Sequence, residues 1–238
     1  MHYVFHGSAL PDEARVSLTR QGFECCALPP FQKLDPGLDT HPDMLFLCLG
    51  ERLFVHSDYL SVPGAGNIIF EISERKRCKT EPTIQPMGPV YPDDILFNIL
   101  VIGKHLVGRL DSVSKKVLFC AKDAGYELHS VRQGYARCTT CVLSDEAAVT
   151  QDPGISALLR ELKIDVLQVD EKDILLPGFD HGFIGGASGK FMESVYFTGD
   201  LSRLAKGGEI AAFCQKHGIK PVSLTQERLV DCGGLFFV

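Results

Sequence analysis

Apolar positions along this chain fall into short alternating runs and longer stretches with helical spacing, and the two kinds follow each other in a recurring order. The runs at 1–6, 23–28, 126–131, 165–169 and 194–198 read as strands. Residues 12–22 carry Ala14, Val16 and Leu18 among polar positions and stop at Gly22, the residue expected just past a helix because it tolerates positive φ. Residues 112–125 repeat that form, with Val113, Val117, Leu118 and Ala121 at helical spacing and Gly125 as the stop. Asp152 and Pro153 open a helix at 155–162, Asp as cap and Pro in the first turn. A last helix at 208–217 stops at Gly218, and strands at 221–224 and 229–238 follow.

Strand pairs separate these helices. Residues 44–49 and 52–56 read as a hairpin about Gly50 and Glu51. Residues 138–142 and 147–150 read as another, turning at Ser144 and Asp145. The phrase His41-Pro42-Asp43-Met44-Leu45-Phe46 returns as Tyr91-Pro92-Asp93-Asp94-Ile95-Leu96-Phe97, and Gly50-Glu51-Arg52-Leu53 returns as Gly103-Lys104-His105-Leu106. The segment 59–90 is irregular; its basic cluster, Arg75, Lys76, Arg77 and Lys79, reads as a solvated loop. The repeats fall at roughly 1–57, 58–111, 112–152, 153–200 and 201–238. No unit of that size buries its own apolar face, so the pattern predicts one α/β domain over 1–238, closed as a ring of repeats.

Composition narrows the setting. A hydrophobic fraction of 45% suffices for a core, and a net charge of −6 argues against a general nucleic-acid binder. No apolar run approaches the ~18 residues that span a bilayer, so no membrane partner is expected. The first residues lack the charged and apolar regions of a signal peptide. Nine cysteines, an odd count scattered through apolar segments, point to a reducing cytoplasm; Cys48, Cys120 and Cys214 sit where a small buried hydrophobe would serve.

Five ββαβ-like units in a chain of this length resemble the pentein fold of the guanidino-group-modifying superfamily. That superfamily includes dimethylarginine dimethylaminohydrolase, arginine deiminase, amidinotransferases and, without catalysis, translation initiation factor six. Residues 135–150 look like the hydrolase's strand pair bearing its catalytic histidine. Ser223-Leu224 and Val230-Asp231 look like the segment leading to its catalytic cysteine. The phrases GFIGGASG (182–189) and DCGG (231–234) more closely resemble an uncharacterised bacterial family of this fold. The resemblance implies an α/β propeller of ββαβ units with pseudo-fivefold symmetry and a ligand cleft on its axis. Its chemistry needs a cysteine thiolate to attack the guanidinium carbon, a histidine to move protons and carboxylates to hold the cation. Here Tyr135 falls at the histidine position, and Phe236 or Phe237 at the cysteine position. The usual dyad is therefore expected to be absent.

Several residues carry alternative readings. Cys232, beside Asp231 in DCGG, reads as a core or turn residue or as a displaced nucleophile with His181 as base. Asp180 and His181, before the glycine turn, read as solvated loop residues or as ligands in the central cleft. Gly185 and Gly186 read as a tight turn needing positive φ, with backbone N–H groups offered to a ligand as the alternative. The stretch is not a phosphate loop, since Ile184 stands where the first glycine belongs and Phe191 where Ser or Thr belongs. Arg137 and Glu193 face outward or toward the ring centre. Cys138 and Cys141 form a CxxC whose members would point oppositely on a strand, so no metal site is expected from them. No cofactor is implied. The function expected is a non-catalytic domain binding a guanidino- or amino-acid-like ligand. The alternatives are a protein-interaction module, motivated by the apolar 235–238, and a hydrolase working through Cys232 and His181.

Overall fold

Strand pairing closes the chain on itself. The computed structural model describes residues 2–238; Met1, part of the first expected strand, lies outside them. The first unit contains β1 (His2–His6), α1 (Asp12–Arg20) and β2 (Phe23–Ala27). The second runs through a turn of helix, α2 (Pro42–Leu45), into β3 (Phe46–Leu49) and β4 (Arg52–His56), then α3 (Ser57–Leu60), α4 (Ala65–Lys76) and β5 (Lys79–Thr83). The third is β6 (Leu100–Ile102), β7 (His105–Gly108), α5 (Lys115–Asp123) and β8 (Glu127–Ser130). The fourth is β9 (Thr140–Ser144), β10 (Ala147–Thr150), α6 (Pro153–Glu161) and β11 (Asp165–Gln168). The fifth is β12 (Ser188–Phe191), β13 (Ser194–Phe197), α7 (Gly207–Lys216) and β14 (Lys220–Ser223). A last short strand, β15 (Phe236–Phe237), returns to β1 and supplies the first unit's missing inner strand.

Each of the five sheets has three strands: an inner one antiparallel to a middle one, which pairs in parallel with an outer one. Parallel neighbours need a crossover, and each helix provides it. The middle strands are covered on both faces, so they read as unbroken apolar runs: Leu53-Phe54-Val55, Ala147-Ala148-Val149, Val195-Tyr196-Phe197. This is the α/β propeller of ββαβ units, with five sheets at 46–83, 100–130, 140–168, 188–223, and 2–27 joined to 236–237. The repeat bounds expected at 57/58, 111/112, 152/153 and 200/201 each fall inside one of these sheets, after its middle strand and where its crossover begins.

The local chemistry explains the elements. Gly22, Gly125 and Gly218 have φ of 91°, 77° and 70° just past α1, α5 and α7. Asp152 Oδ1 accepts the Ile155 N–H at 2.7 Å, capping α6. The segment 59–90 differs from the expected loop. Ala65, Ile69, Ile72 and Ser73 are buried at helical spacing; Arg75, Lys76 and Arg77 of the basic cluster end α4, where cations suit the helix dipole, and Lys79 opens β5. The Arg75 guanidinium lies 3.7 Å from the centre of the Tyr3 ring, tying α4 to the first unit. The apolar 235–238 is covered by the chain's own β1. Val4 pairs with Phe237, Phe5 with Phe236, and Tyr3 and Val238 exchange backbone hydrogen bonds.

Among the described residues no helix is long and apolar enough to cross a membrane.

Candidate functional site

The residues that lead into the inner strands converge on a cavity of about 260 Å³. His41, Tyr135, Cys138, Asp180, His181 and Asp231 supply its polar lining, and Leu38, Leu176, Phe179 and Phe183 its apolar walls. Asp43 stands behind Cys138, and Asp94 behind Tyr135. The Cys138 thiol donates to Asp43 Oδ2 at 2.8 Å, and the Tyr135 hydroxyl donates to Asp94 Oδ2 at 2.6 Å.

Asn98 fixes the turn that presents Cys138. Its Oδ1 accepts the Arg137 N–H at 3.0 Å, and its Nδ2 donates to Cys138 Sγ at 2.9 Å and to Met44 Sδ at 3.2 Å. The thiol is thus held on both sides, as acceptor and as donor. Asp231 does equivalent work for the glycine turn: Oδ2 accepts the Phe183 N–H at 2.8 Å and Oδ1 the Gly233 N–H at 3.0 Å. Gly186 packs directly on that carboxylate, so a Cβ there would overlap Asp231 Oδ1. At Gly185 a Cβ would meet the carbonyls of Arg137, Cys138 and Thr140. Neither glycine has positive φ. The expected turn strain is absent, and close approach of backbone to backbone and carboxylate is what excludes a side chain.

The electrostatics are unbalanced. Burial pushes the Asp43 carboxyl up to about 6, opposed by the Arg137 charge and the Cys138 hydrogen bond. Burial likewise pushes Asp231 up to about 6, opposed by His41. Asp94 is also raised by burial, against its bond from Tyr135. His41 is lowered by burial, against the pull of Asp231. Its Nδ1 lies 3.9 Å from Asp231 Oδ1, too far for a hydrogen bond. Cys138 is held well above the usual thiol range by burial and then by the Asp43 and Asp231 charges. Four buried atoms of this cluster have no hydrogen-bond partner among the described residues: His41 Nδ1 and Nε2, Asp43 Oδ1 and Asp94 Oδ1. Unpaired buried polar atoms each cost on the order of 1–3 kcal/mol. Of these groups His41 lines the cavity, while Asp43 and Asp94 stand one layer back, behind Cys138 and Tyr135.

The residues expected from sequence are distributed unevenly. His181 and Asp180 line the cleft, His181 half-buried and Asp180 exposed. Asp231 lines it as well. Cys232 is fully buried in an apolar cluster with Leu10, Leu18 and Leu235, and is not among the residues lining the cleft. Burial and the Asp231 charge push its thiol up, so the fold does not pair it with His181 as an activated nucleophile. Arg137 faces a second cavity of about 230 Å³ between the inner strands, shared with Gly185 and Lys190. Gly186 lies between the two cavities, its N–H bonded to the Cys138 carbonyl at 3.0 Å. Glu193 is exposed at the β12–β13 turn, away from both. Cys138 is not on a strand; it occupies the turn before β9, while Cys141 on β9 points into the core. Tyr135, at the position of the family histidine, lines the cleft, and Phe236 packs edge-on to Phe46 at 4.9 Å.

His41, Asp43, Asp94 and Asn98 are not singled out from sequence, and Cys138 is read there only as half of a CxxC. A signal existed: the repeated phrase at 41–46 and 91–97, read above only as a repeat, delivers Asp43 and Asp94 to the same cluster.

This ring of ββαβ units around a polar axial cleft is the pentein architecture. The chain is similar in structure to dimethylarginine dimethylaminohydrolase from Pseudomonas aeruginosa, solved with citrulline. The TM-score is 0.56 at 11% identity, over 92% of this chain and 90% of that one. It is similar to C. jejuni agmatine deiminase, with a TM-score of 0.58 at 9% identity over 99% and 92% of the two chains. It is also similar to the amidinotransferase SxtG from Microseira wollei, with a TM-score of 0.52 at 14% identity over 92% and 87%. At these identities the likeness establishes the fold alone. No curated protein matches the sequence at a significant level. Residues 7–236 match the model of a family of unknown function, DUF6873, and the chain belongs to that family.

Proposed function

We propose that the axial cleft binds a small cationic ligand of the guanidino or amino-acid class, without the cysteine–histidine chemistry of the superfamily. The observation that carries this reading is the buried acidic cluster: Asp43, Asp94 and Asp231 around one cavity, with Asp43 Oδ1 and Asp94 Oδ1 unpaired. A planar cation with several N–H donors would be held by Asp231 on the cavity wall, with the buried charges of Asp43 and Asp94 behind Cys138 and Tyr135 adding to the attraction. His41, kept neutral by burial, would accept one further N–H. The apolar walls Leu176, Phe179 and Phe183 suit an alkyl chain. The absence of turnover is supported by Tyr135, whose hydroxyl is committed to Asp94, and by Phe236, half-buried on the wall of the second cavity, which has no group to attack or transfer a proton.

Thermal denaturation with arginine, methylarginines, agmatine, citrulline and creatine-like compounds tests this. A ligand at about 100 times its Kd adds about 2.7 kcal/mol, a rise of roughly 5–10 °C for a chain of this size. A rise with the cationic compounds, with no citrulline, urea or ammonia released, is expected. No rise with any compound at millimolar concentration overturns it.

A second reading has one observation in its favour: Cys138 and His41 line the same cleft. The charges of Asp43 and Asp231 help hold the Cys138 thiol protonated, and a bound cation would offset both and favour the thiolate. Product release by the native chain, lost in Cys138→Ser with cation binding kept, would replace the first reading with this one.

A further inference from the structure

His105, Glu127 and His129 meet on the flank of the third sheet. β7 and β8 are parallel, with His105 opposite Glu127 and Val107 opposite His129. Side chains alternate along a strand, so all four residues share one face. Val107 is fully buried among Ile155, Leu159 and Val166, so the three polar residues stand at the rim of an apolar floor. The imidazoles are about one-fifth exposed, at 21% and 20%, and Glu127 is open at 67%.

Three ligand atoms lie together, and the two ring nitrogens share a hydrogen bond that a bound ion would replace. His105 Nδ1 is 3.1 Å from His129 Nε2, Glu127 Oε2 is 3.4 Å from His105 Nδ1, and it is 3.8 Å from His129 Nε2. Neither carboxylate distance is that of a good hydrogen bond. The rings converge at 56° rather than stacking. Nitrogen and oxygen ligands held tetrahedrally at about 2.0–2.2 Å from zinc stand ~3.3–3.5 Å apart. The observed triangle brackets that spacing, so an ion above its centre would be reached by all three with small side-chain rotations.

We propose that His105, Glu127 and His129 form a zinc site with two imidazoles, one carboxylate and a fourth position open to solvent. The donor set favours zinc over calcium or magnesium, which take oxygen ligands. None of the three residues lines either axial cavity, so the site is separate from the cleft and independent of the ligand proposed there. No spacing signature announces it: His105 is far in sequence from Glu127 and His129, and only the β7–β8 register joins them.

Calorimetry with zinc on the chelator-stripped chain, compared with H105A/H129A and E127Q, tests the proposal. The native chain is expected to bind one equivalent that the double variant lacks. Glu127→Gln is expected to weaken it by at least the roughly 10- to 100-fold that losing even an outer-shell partner costs. E127Q alters an exposed side chain, so it remains informative if the double variant folds poorly. Cobalt substitution separates this site from the thiols: visible bands without sulfur charge transfer, lost in the double variant, support it. The proposal is overturned if the native chain binds no zinc at ~100 µM, about a hundredfold above a micromolar Kd. It is equally overturned if H105A/H129A keeps the native stoichiometry and affinity, or if the cobalt bands are those of thiolates.

Discussion

Two cavities follow one another along the pseudo-fivefold axis, and they are lined by opposite chemistry. The first collects side chains from the segments ahead of the inner strands, including His41, Cys138 and Asp231, backed by Asp43 and Asp94. It is acidic, largely buried and short of hydrogen-bond partners. The second lies between the strands, lined by Thr140, Ser188, Gly189 and other strand residues and by Gly234 ahead of β15, with Arg137 and Lys190 as its charges. Its backbone groups are engaged by the sheets, and Arg137 Nη1 already donates to the Phe46 carbonyl at 3.3 Å. Adjacent residues, Arg137 and Cys138, face the two different spaces. The contrast shows that charge alone does not mark a site on this ring. The first cavity stands out because its polar atoms are buried and unpaired.

Substitution at the partition should have the largest effect. Gly186→Ala places a methyl against Asp231, and denaturant unfolding should show a loss of about 3 kcal/mol or more. A loss under 0.5 kcal/mol would mean the two cavities are not held apart by this contact.

Asp43→Asn comes next, with a sign that depends on pH. The carboxyl is raised in the folded chain from 3.8 to about 6, so it favours folding below pH 4, and that contribution is lost as pH rises through 6. The variant should therefore be more stable than the native chain at pH 8, by on the order of 2–3 kcal/mol, with the difference vanishing below pH 4. It should also lose binding of any cationic ligand. Equal stability of the two chains across that range would break the assignment of a strained buried charge.

Arg137→Met probes the link between the cavities. Above pH 7 it should strengthen cation binding by on the order of 1 kcal/mol, because a competing positive charge is gone. Because Arg137 holds the Asp43 carboxyl down, its loss should also move the pH at which binding fails upward, as titration calorimetry between pH 5 and 8 would reveal. Lys190→Ala should do least, changing cation affinity by less than about 0.5 kcal/mol. A larger change would show that one ligand spans both cavities.

Much of the frame is written locally. Gly22, Gly125 and Gly218 stop their helices where expected, Asp152 caps α6, and the Gly50 and Gly103 turns close their hairpins with φ of 56° and 54°. These features depend on neighbours a few residues away, and such neighbours are visible in a linear chain. α4 was missed because Gly64 before it and charged residues on its outer face resemble a loop; its buried Ile69 and Ile72 matter only once β4 and β5 lie beneath them. The site was the least legible part. Asp43, Asp94, Cys138 and Asp231 come from four different units, and no spacing predicts their meeting. The glycine phrases draw attention to Asp231, which lines the cleft, and of the two readings of Cys232 the turn directs it into the core.

The joint between β15 and β1 also governs how this molecule can be assembled. Four sheets form from segments of a few dozen residues, whereas pairing Phe5 with Phe236 spans nearly the whole chain. Such a closure has high contact order and a loop entropy that only the finished ring repays. The first unit therefore stays a two-stranded fragment through most of synthesis, its inner edge unpaired. Locking of the ring, including the Asp231 turn that completes the cleft, is expected to be slower than forming the four local sheets.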